Sequence, residues 1–195
     1  MKTRGARLLY DYWRNAKGTY PVPRRDAIEP RGLKDVLPWV FILDHVDLEL
    51  TVFRLAGTGM CDFYGRELRG ENFLSQWTGD CRRTVRSLIQ NVVMMPTPST
   101  FEFTAEACNC RLLNGDIMLL PLEASDGEHV QILGGWFPTV THDPLLEKPI
   151  MRQRMMNIRL LELPDGTELP QIAPEPEEAI AQLKLVVSNG EMLKR

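Results

Sequence analysis

The chain has 195 residues, is 44% apolar and 25% charged, and carries a formal net charge of −3 at pH 7. This composition suits a folded chain with one domain plus an extension. It supplies no global positive field for direct nucleic-acid binding. It also contains no apolar run of about 18 residues that would cross a membrane. The N-terminal stretch starts with positive charge but lacks a long apolar region and a small-residue cleavage site, so a secretory signal is not expected and a cytoplasmic location is.

Residues 4–17 place Leu8, Leu9, Tyr12, Trp13 and Ala16 at i, i+1, i+4, i+5 and i+8, an amphipathic helical stripe. Gly18 is a natural stop. Such a helix packs either on its own core or on a second subunit, and periodicity does not choose between them. Pro21, Pro23, Pro30 and Gly32 mark an irregular crossing segment. Leu33, Val36 and Leu37 then give a short helix stopped by Pro38. Residues 39–46 and 50–56 read as two strands turned around Asp47, an antiparallel hairpin.

Gly57 and Gly59 break the second strand. Met60, Phe63 and Tyr64 recur at helical spacing until Gly65. Phe73 and Trp77 repeat the spacing after Gly70 and Asn72. Residues 81–95 form the strongest helix, with Val85, Leu88, Ile89, Val92 and Val93 on one side and Arg82, Arg83, Arg86 and Gln90 on the other. Asp80 suits its N-terminus. Pro96 and Pro98 end it.

A meander of three strands follows. Phe101, Phe103, Ala105 and Ala107 alternate with Glu102, Thr104 and Glu106. This strand is expected to run on to Leu113, with Asn114-Gly115 as the two-residue turn. The next covers residues 116–124, where Pro121 suggests an edge or a bulge. Ser125-Asp126-Gly127 turns the chain into a last strand over 129–137. Gly134 and Gly135 inside that strand imply a bulge or a close approach. Residues 151–163 fit either a helix or an added strand. Residues 164–176 are a Pro-rich acidic linker and 177–187 a terminal helix, so the domains are 1–143 and a 144–195 extension.

The element order predicts an α+β fold, a five-stranded antiparallel sheet with helices on one face. That order, with Tyr12-Trp13, Leu37-Pro38, the run Phe53-Arg54-Leu55-Ala56-Gly57-Thr58, Phe63, Gly65-Arg66-Glu67-Leu68, Gly70, Phe73, Trp77 and Gly135-Trp136, resembles the PAS domain family. The likeness is to its short, stand-alone bacterial type and covers residues 5–142. The resemblance implies strand order 2-1-5-4-3 and a sensory or regulatory role in signal transduction. It also implies a ligand or apolar core between sheet and helices, and dimers formed through the leading helix.

On that reading the pocket lining is Phe53, Leu55, Met60, Phe63, Tyr64, Phe73, Trp77, Leu88, Phe103, Leu119, Leu133 and Trp136. Arg54 and Tyr64 are its candidate polar groups. Leu8, Leu9, Tyr12 and Trp13 are the dimer or partner contacts. The expected partners are a second copy, a signalling protein and a small apolar ligand. Arg66 and Glu67 suit an internal Arg–carboxylate pair at the Gly65 corner.

No cofactor is named by the sequence. A haem needs an axial ligand, most often His, and His45, His129 and His142 all lie outside the helical region where PAS haem ligands usually arise. A photoreactive flavin needs a cysteine motif that Cys61 and Cys81 do not form. Cys108 and Cys110 are a C-x-C pair without the second pair or His that zinc requires. Reduced structural thiols, no metal and no disulfide framework are therefore expected.

Two rival functions remain. A carrier or enzyme on a curved-sheet α+β fold needs an acid or His inside the cavity. Asp44-His45 and His142-Asp143 are sequence neighbours whose side chains diverge in extended chain, which speaks against catalysis; Asp62 stays a candidate. A purely structural interaction module would use the helices at 4–17 and 177–187 as contact surfaces.

Overall fold

The computed structural model describes residues 1–124, 130–141 and 147–161. The linker at 164–176, the helix at 177–187, the turn at 125–127, His129 and His142 lie outside the described residues. In chain order the elements are α1 (Arg4–Lys17), β1 (Val40–His45), β2 (Thr51–Ala56), α2 (Thr58–Tyr64), α3 (Gly79–Met94), β3 (Ser99–Ala107), β4 (Leu112–Glu123), β5 (Val130–Pro138) and β6 (Ile150–Leu160). Short 3-10 turns connect α1 to β1 and α2 to α3. All these elements belong to one unit, Met1–Leu163.

The strands form a single antiparallel sheet in the order β2-β1-β5-β4-β3-β6. The first five follow the 2-1-5-4-3 order that the resemblance implies. The sixth corrects the expected count: of the segment left open between helix and strand, Ile150–Leu160 forms β6, which pairs with β3 along its length. Around its middle the inward Gln153 and half-buried Met155 alternate with the exposed Arg152, Arg154 and Met156, which suits an edge strand.

The helices occupy both faces of the sheet, where one face was expected. α2, α3 and the turn at 73–76 cover one side, over Phe41, Leu43, Phe53, Phe101, Phe103, Ile117 and Trp136. α1 covers the other, over Val40, Ile42, Met118, Leu120, Leu122, Leu133 and Phe137. Ile42 and Leu43 are sequence neighbours on opposite faces, as the strand period of two requires.

α1 begins at Thr3, whose Oγ1 accepts a hydrogen bond from Ala6 N at 3.4 Å. The buried Asp116 carboxylate on β4 fixes this end, accepting from Lys2 N at 2.7 Å, Thr3 N at 2.6 Å and Thr3 Oγ1 at 2.9 Å. Further along, Trp13 Nε1 donates to Pro121 O at 2.8 Å. The 3-4 spacing of Ala6, Leu9 and Trp13 therefore lands on its own sheet.

The hairpin turn was expected at Asn114-Gly115, but both residues lie inside β4, opposite Thr104 and Phe103. The turn falls earlier, at 108–111, where Cys110 takes a left-handed φ of 63° and its N–H donates to Ala107 O at 2.9 Å. Gly115 is small for another reason: a Cβ there would sit 2.3 Å from Phe137 O and 2.5 Å from the Phe103 ring. Pro121 is neither on an edge strand nor at a bulge. The β3 ladder ends at Leu119, so the missing N–H of Pro121 falls where β4 has lost that neighbour. Gly134 and Gly135 mark close approaches, since added Cβ atoms would lie 2.0 Å from the Phe41 ring and 2.2 Å from the Phe137 ring.

Candidate functional site

The space between the sheet and α2/α3 is built from aromatic rings. Phe41 meets Phe53 at 5.7 Å and Phe73 at 5.5 Å between ring centroids. Trp77 then reaches Phe73 at 6.2 Å and Phe101 at 5.6 Å. A second group centres on Trp136, stacked on Phe103 at 4.8 Å and flanked by Phe63 at 5.4 Å and Tyr64 at 5.9 Å. Such offset and edge contacts add about 0.5–1.5 kcal/mol per pair beyond burial itself.

Ten of the expected lining residues share this cluster: Phe53, Met60, Phe63, Tyr64, Phe73, Trp77, Leu88, Phe103, Leu119 and Trp136. Two do not. Leu133 lies on the α1 side, because Ile132 and Trp136 share one face of β5 while Leu133 and Phe137 share the other. Leu55 is 42% exposed. A bulge between Ile42 and Leu43 makes Leu55 the partner of Ile42, not of a residue on the Phe53 face.

Two kinds of polar group stand inside the aromatic wall. The buried Tyr64 hydroxyl donates to Gln153 Oε1 at 2.7 Å, and Trp136 Nε1 donates to the same oxygen at 3.4 Å. Burial pushes the Tyr64 phenol well above its ordinary value of 10.0, with the Arg66 charge opposing. Trp77 Nε1 is buried with no partner. An orphaned buried donor costs about 1–3 kcal/mol unless something accepts from it.

Gln153 was missed in the sequence, although Arg152 and Arg154 on either side already marked the wet face of an alternating strand. Arg54, the other polar candidate, points outward and pairs with Asp44 at 3.4 Å. Arg66 does find a carboxylate, but it is Glu71, through Nε at 2.9 and 3.2 Å and a second nitrogen at 3.1 Å. Glu67 instead accepts from the amides of Leu68 and Arg69, each at 3.1 Å.

The described acid and histidine candidates of the enzyme reading, Asp44, His45 and Asp62, face elsewhere; Asp143, like His142, lies outside the described residues. Asp44 is tied to Arg54 and to Gln131 Nε2 at 2.6 Å. His45 Nδ1 lies 3.1 Å from Thr51 Oγ1, and partial burial lowers its pKa against the pull of Asp47. Asp62 is exposed and ion-paired with Lys148. Burial raises the pKa of the Cys61 thiol, which keeps it protonated. Among the described residues no group of three His, Cys, Asp or Glu side chains is placed to hold a metal ion.

Of the residues expected to contact a second subunit, Leu9 and Trp13 are fully buried in the chain's own α1 layer. The Tyr12 hydroxyl accepts from Glu29 N at 2.8 Å and donates to Glu29 O at 3.2 Å. Leu8 is 38% exposed.

No curated protein sequence matches this chain. A family model described as PAS domain matches residues 1–136, from the start of α1 through Trp136 on β5. That span holds the five strands in 2-1-5-4-3 order and the aromatic layer beneath α2 and α3. The chain therefore belongs to the PAS domain family, whose general role is sensory or regulatory.

Proposed function

We propose that this protein is a cytoplasmic PAS-type regulator of bacterial signal transduction that senses a small, largely apolar ligand in its aromatic layer. One observation carries the reading: Trp77 Nε1 is a buried donor without a hydrogen-bond partner, set among aromatic rings. A ligand with one oxygen acceptor on an apolar body meets that need, since apolar pockets take specificity from a few placed polar groups. Tyr64 and Gln153 form the second polar point of the same layer and link α2 to β6. Ligand entry there displaces one of the rings, and β6 carries the change toward the following chain.

The second reading is a regulator that binds proteins and no ligand. It is favoured by the ring contacts themselves, which already fill the space between Phe103 and Trp136. In either case the protein acts as a non-catalytic partner of another signalling protein, alone or as a homodimer.

Native mass spectrometry of freshly purified protein, with a visible absorption scan, separates the two. A small molecule bound at one per chain, lost on Trp77→Phe, is expected of the sensor. An unliganded mass, together with no shift of the Trp77 indole N–H resonance on exposure to cell-extract small molecules, rejects it in favour of the second reading.

A further inference from the structure

At the β2 edge of the sheet lies a recess of about 510 Å3, within the roughly 300–1,000 Å3 of small-molecule sites. Three separate elements deliver its cations: Arg25 from the turn at 25–27, Arg54 from β2, and Arg69 from the loop after α2. Both flanking segments are pinned. Gly70 N donates to Phe53 O at 2.8 Å and Phe53 N to Glu71 O at 2.9 Å, so the Arg69 loop runs along β2. Glu123 N donates to Pro23 O at 3.1 Å, which holds the Arg25 turn beside β4.

The lining counts three arginines against one acid, Asp44. That carboxylate is divided between Gln131 Nε2 and Arg54. Among the described residues Arg25 and Arg69 make no side-chain hydrogen bond or ion pair. Glu67 lies within the field of Arg69, and its Oε1 accepts from the backbone amides of Leu68 and Arg69, with no hydrogen bond or ion pair to the Arg69 side chain. Asp26, next to Arg25, pairs with Arg24. The floor is apolar, from Ile42 and the exposed Leu55 that the bulge turns outward.

We propose that this recess binds a small organic dianion, its oxyanion head held by Arg25, Arg54 and Arg69 and its carbon body resting on Leu55 and Ile42. Guanidinium forks match carboxylate and phosphate oxygens bidentately, and converging ones from different elements fix a head group better than a single surface pair does. The site lies at the sheet edge outside the aromatic layer, sharing Phe53 with it, and does not rest on the sensor reading.

Phenyl phosphate is the probe, titrated into the full chain by calorimetry and by amide and indole NMR at low salt. The expected result is saturable binding with shifts at the Leu55 and Gly70 amides and none at the Trp77 or Trp136 indoles. The Arg25→Ala/Arg69→Ala variant, altered only at side chains with no internal bonds, is expected to weaken it at least about tenfold. Inorganic phosphate is expected to bind more weakly than phenyl phosphate. Equal titrations of wild type and variant, an absence of saturation, or shifts confined to the indoles overturn the site. Equal affinity for inorganic phosphate overturns the organic part of the proposal. Arg69→Glu, a charge reversal, is expected to abolish binding with the thermal midpoint unchanged.

Discussion

Gln153 uses one amide oxygen for two buried donors, and this makes Tyr64 testable through pH. The phenol is held above its ordinary value by burial, so the folded state keeps a proton that the unfolded state releases. This stability is complete below the ordinary tyrosine value and is lost as pH rises past it. Tyr64→Phe removes the 2.7 Å hydrogen bond and is expected to cost about 1–2 kcal/mol near neutral pH. It is also expected to flatten the alkaline fall of the urea midpoint above about pH 10. A variant whose alkaline slope matches wild type refutes that role. Gly134→Ala is expected to cost about 1–3 kcal/mol, read as a lower denaturant midpoint, because its Cβ would press into the Phe41 ring 2.0 Å away. The residues of the aromatic layer were legible from hydrophobic spacing. Leu55 was misplaced because a bulge depends on the partner strand, which its own sequence does not contain, whereas the three-residue spacing of Leu133 and Trp136 already put those two on opposite faces. Gln153 escaped because Arg152 and Arg154 mark its face only once the segment is a strand, and the sequence left helix and strand open there.

Element by element, helices with clean stripes were readable and connections were not. α1 and α3 follow from their 3.6-residue periodicity. The Asn114-Gly115 turn failed because a favourable dipeptide is a local preference, while β4 gains a full ladder with β3 and β5 by running through it. β6 stayed open in sequence because its arginine–methionine alternation has modest amplitude, and pairing with β3 decides it. The burial of α1 against its own sheet sets an element-scale expectation. Trp13→Ala removes a fully buried ring and its bond to Pro121 O, at a cost of about 3–5 kcal/mol measured by chemical unfolding. Deleting residues 1–18 uncovers Ile42, Leu120, Leu133 and Phe137 and is expected to yield aggregates in light scattering. An unaltered, soluble mass after that deletion contradicts the assignment of α1 as a layer of this fold.

For the whole molecule, distant parts of the chain meet on Glu102. This β3 carboxylate accepts from Lys2 Nζ at 2.8 Å, ahead of the N-cap of α1, and from Asn157 Nδ2 at 3.1 Å on β6; Arg159 lies at 3.7 Å. Its pKa is lowered, first by the Lys2 hydrogen bond. A depressed carboxylate contributes stability above its unfolded value of 4.5, and that contribution is lost as pH falls through the folded value. Glu102→Gln is therefore expected to lower the midpoint at pH 7 slightly and to shrink the loss between about pH 5 and pH 3. Identical acid profiles for variant and wild type would remove Glu102 from this role.

The two-layered burial has an optical consequence. The chain has four tryptophans. Trp13 is enclosed on the α1 side, Trp77 and Trp136 are enclosed under α2 and α3, and Trp39 packs against both clusters. The native protein thus carries an unlabelled fluorophore for each side of its sheet. Single-tryptophan variants would let emission colour and quencher access be followed separately above and below the strands. A signal that starts in one layer and is relayed to the other would be visible as two spectral changes with a delay between them.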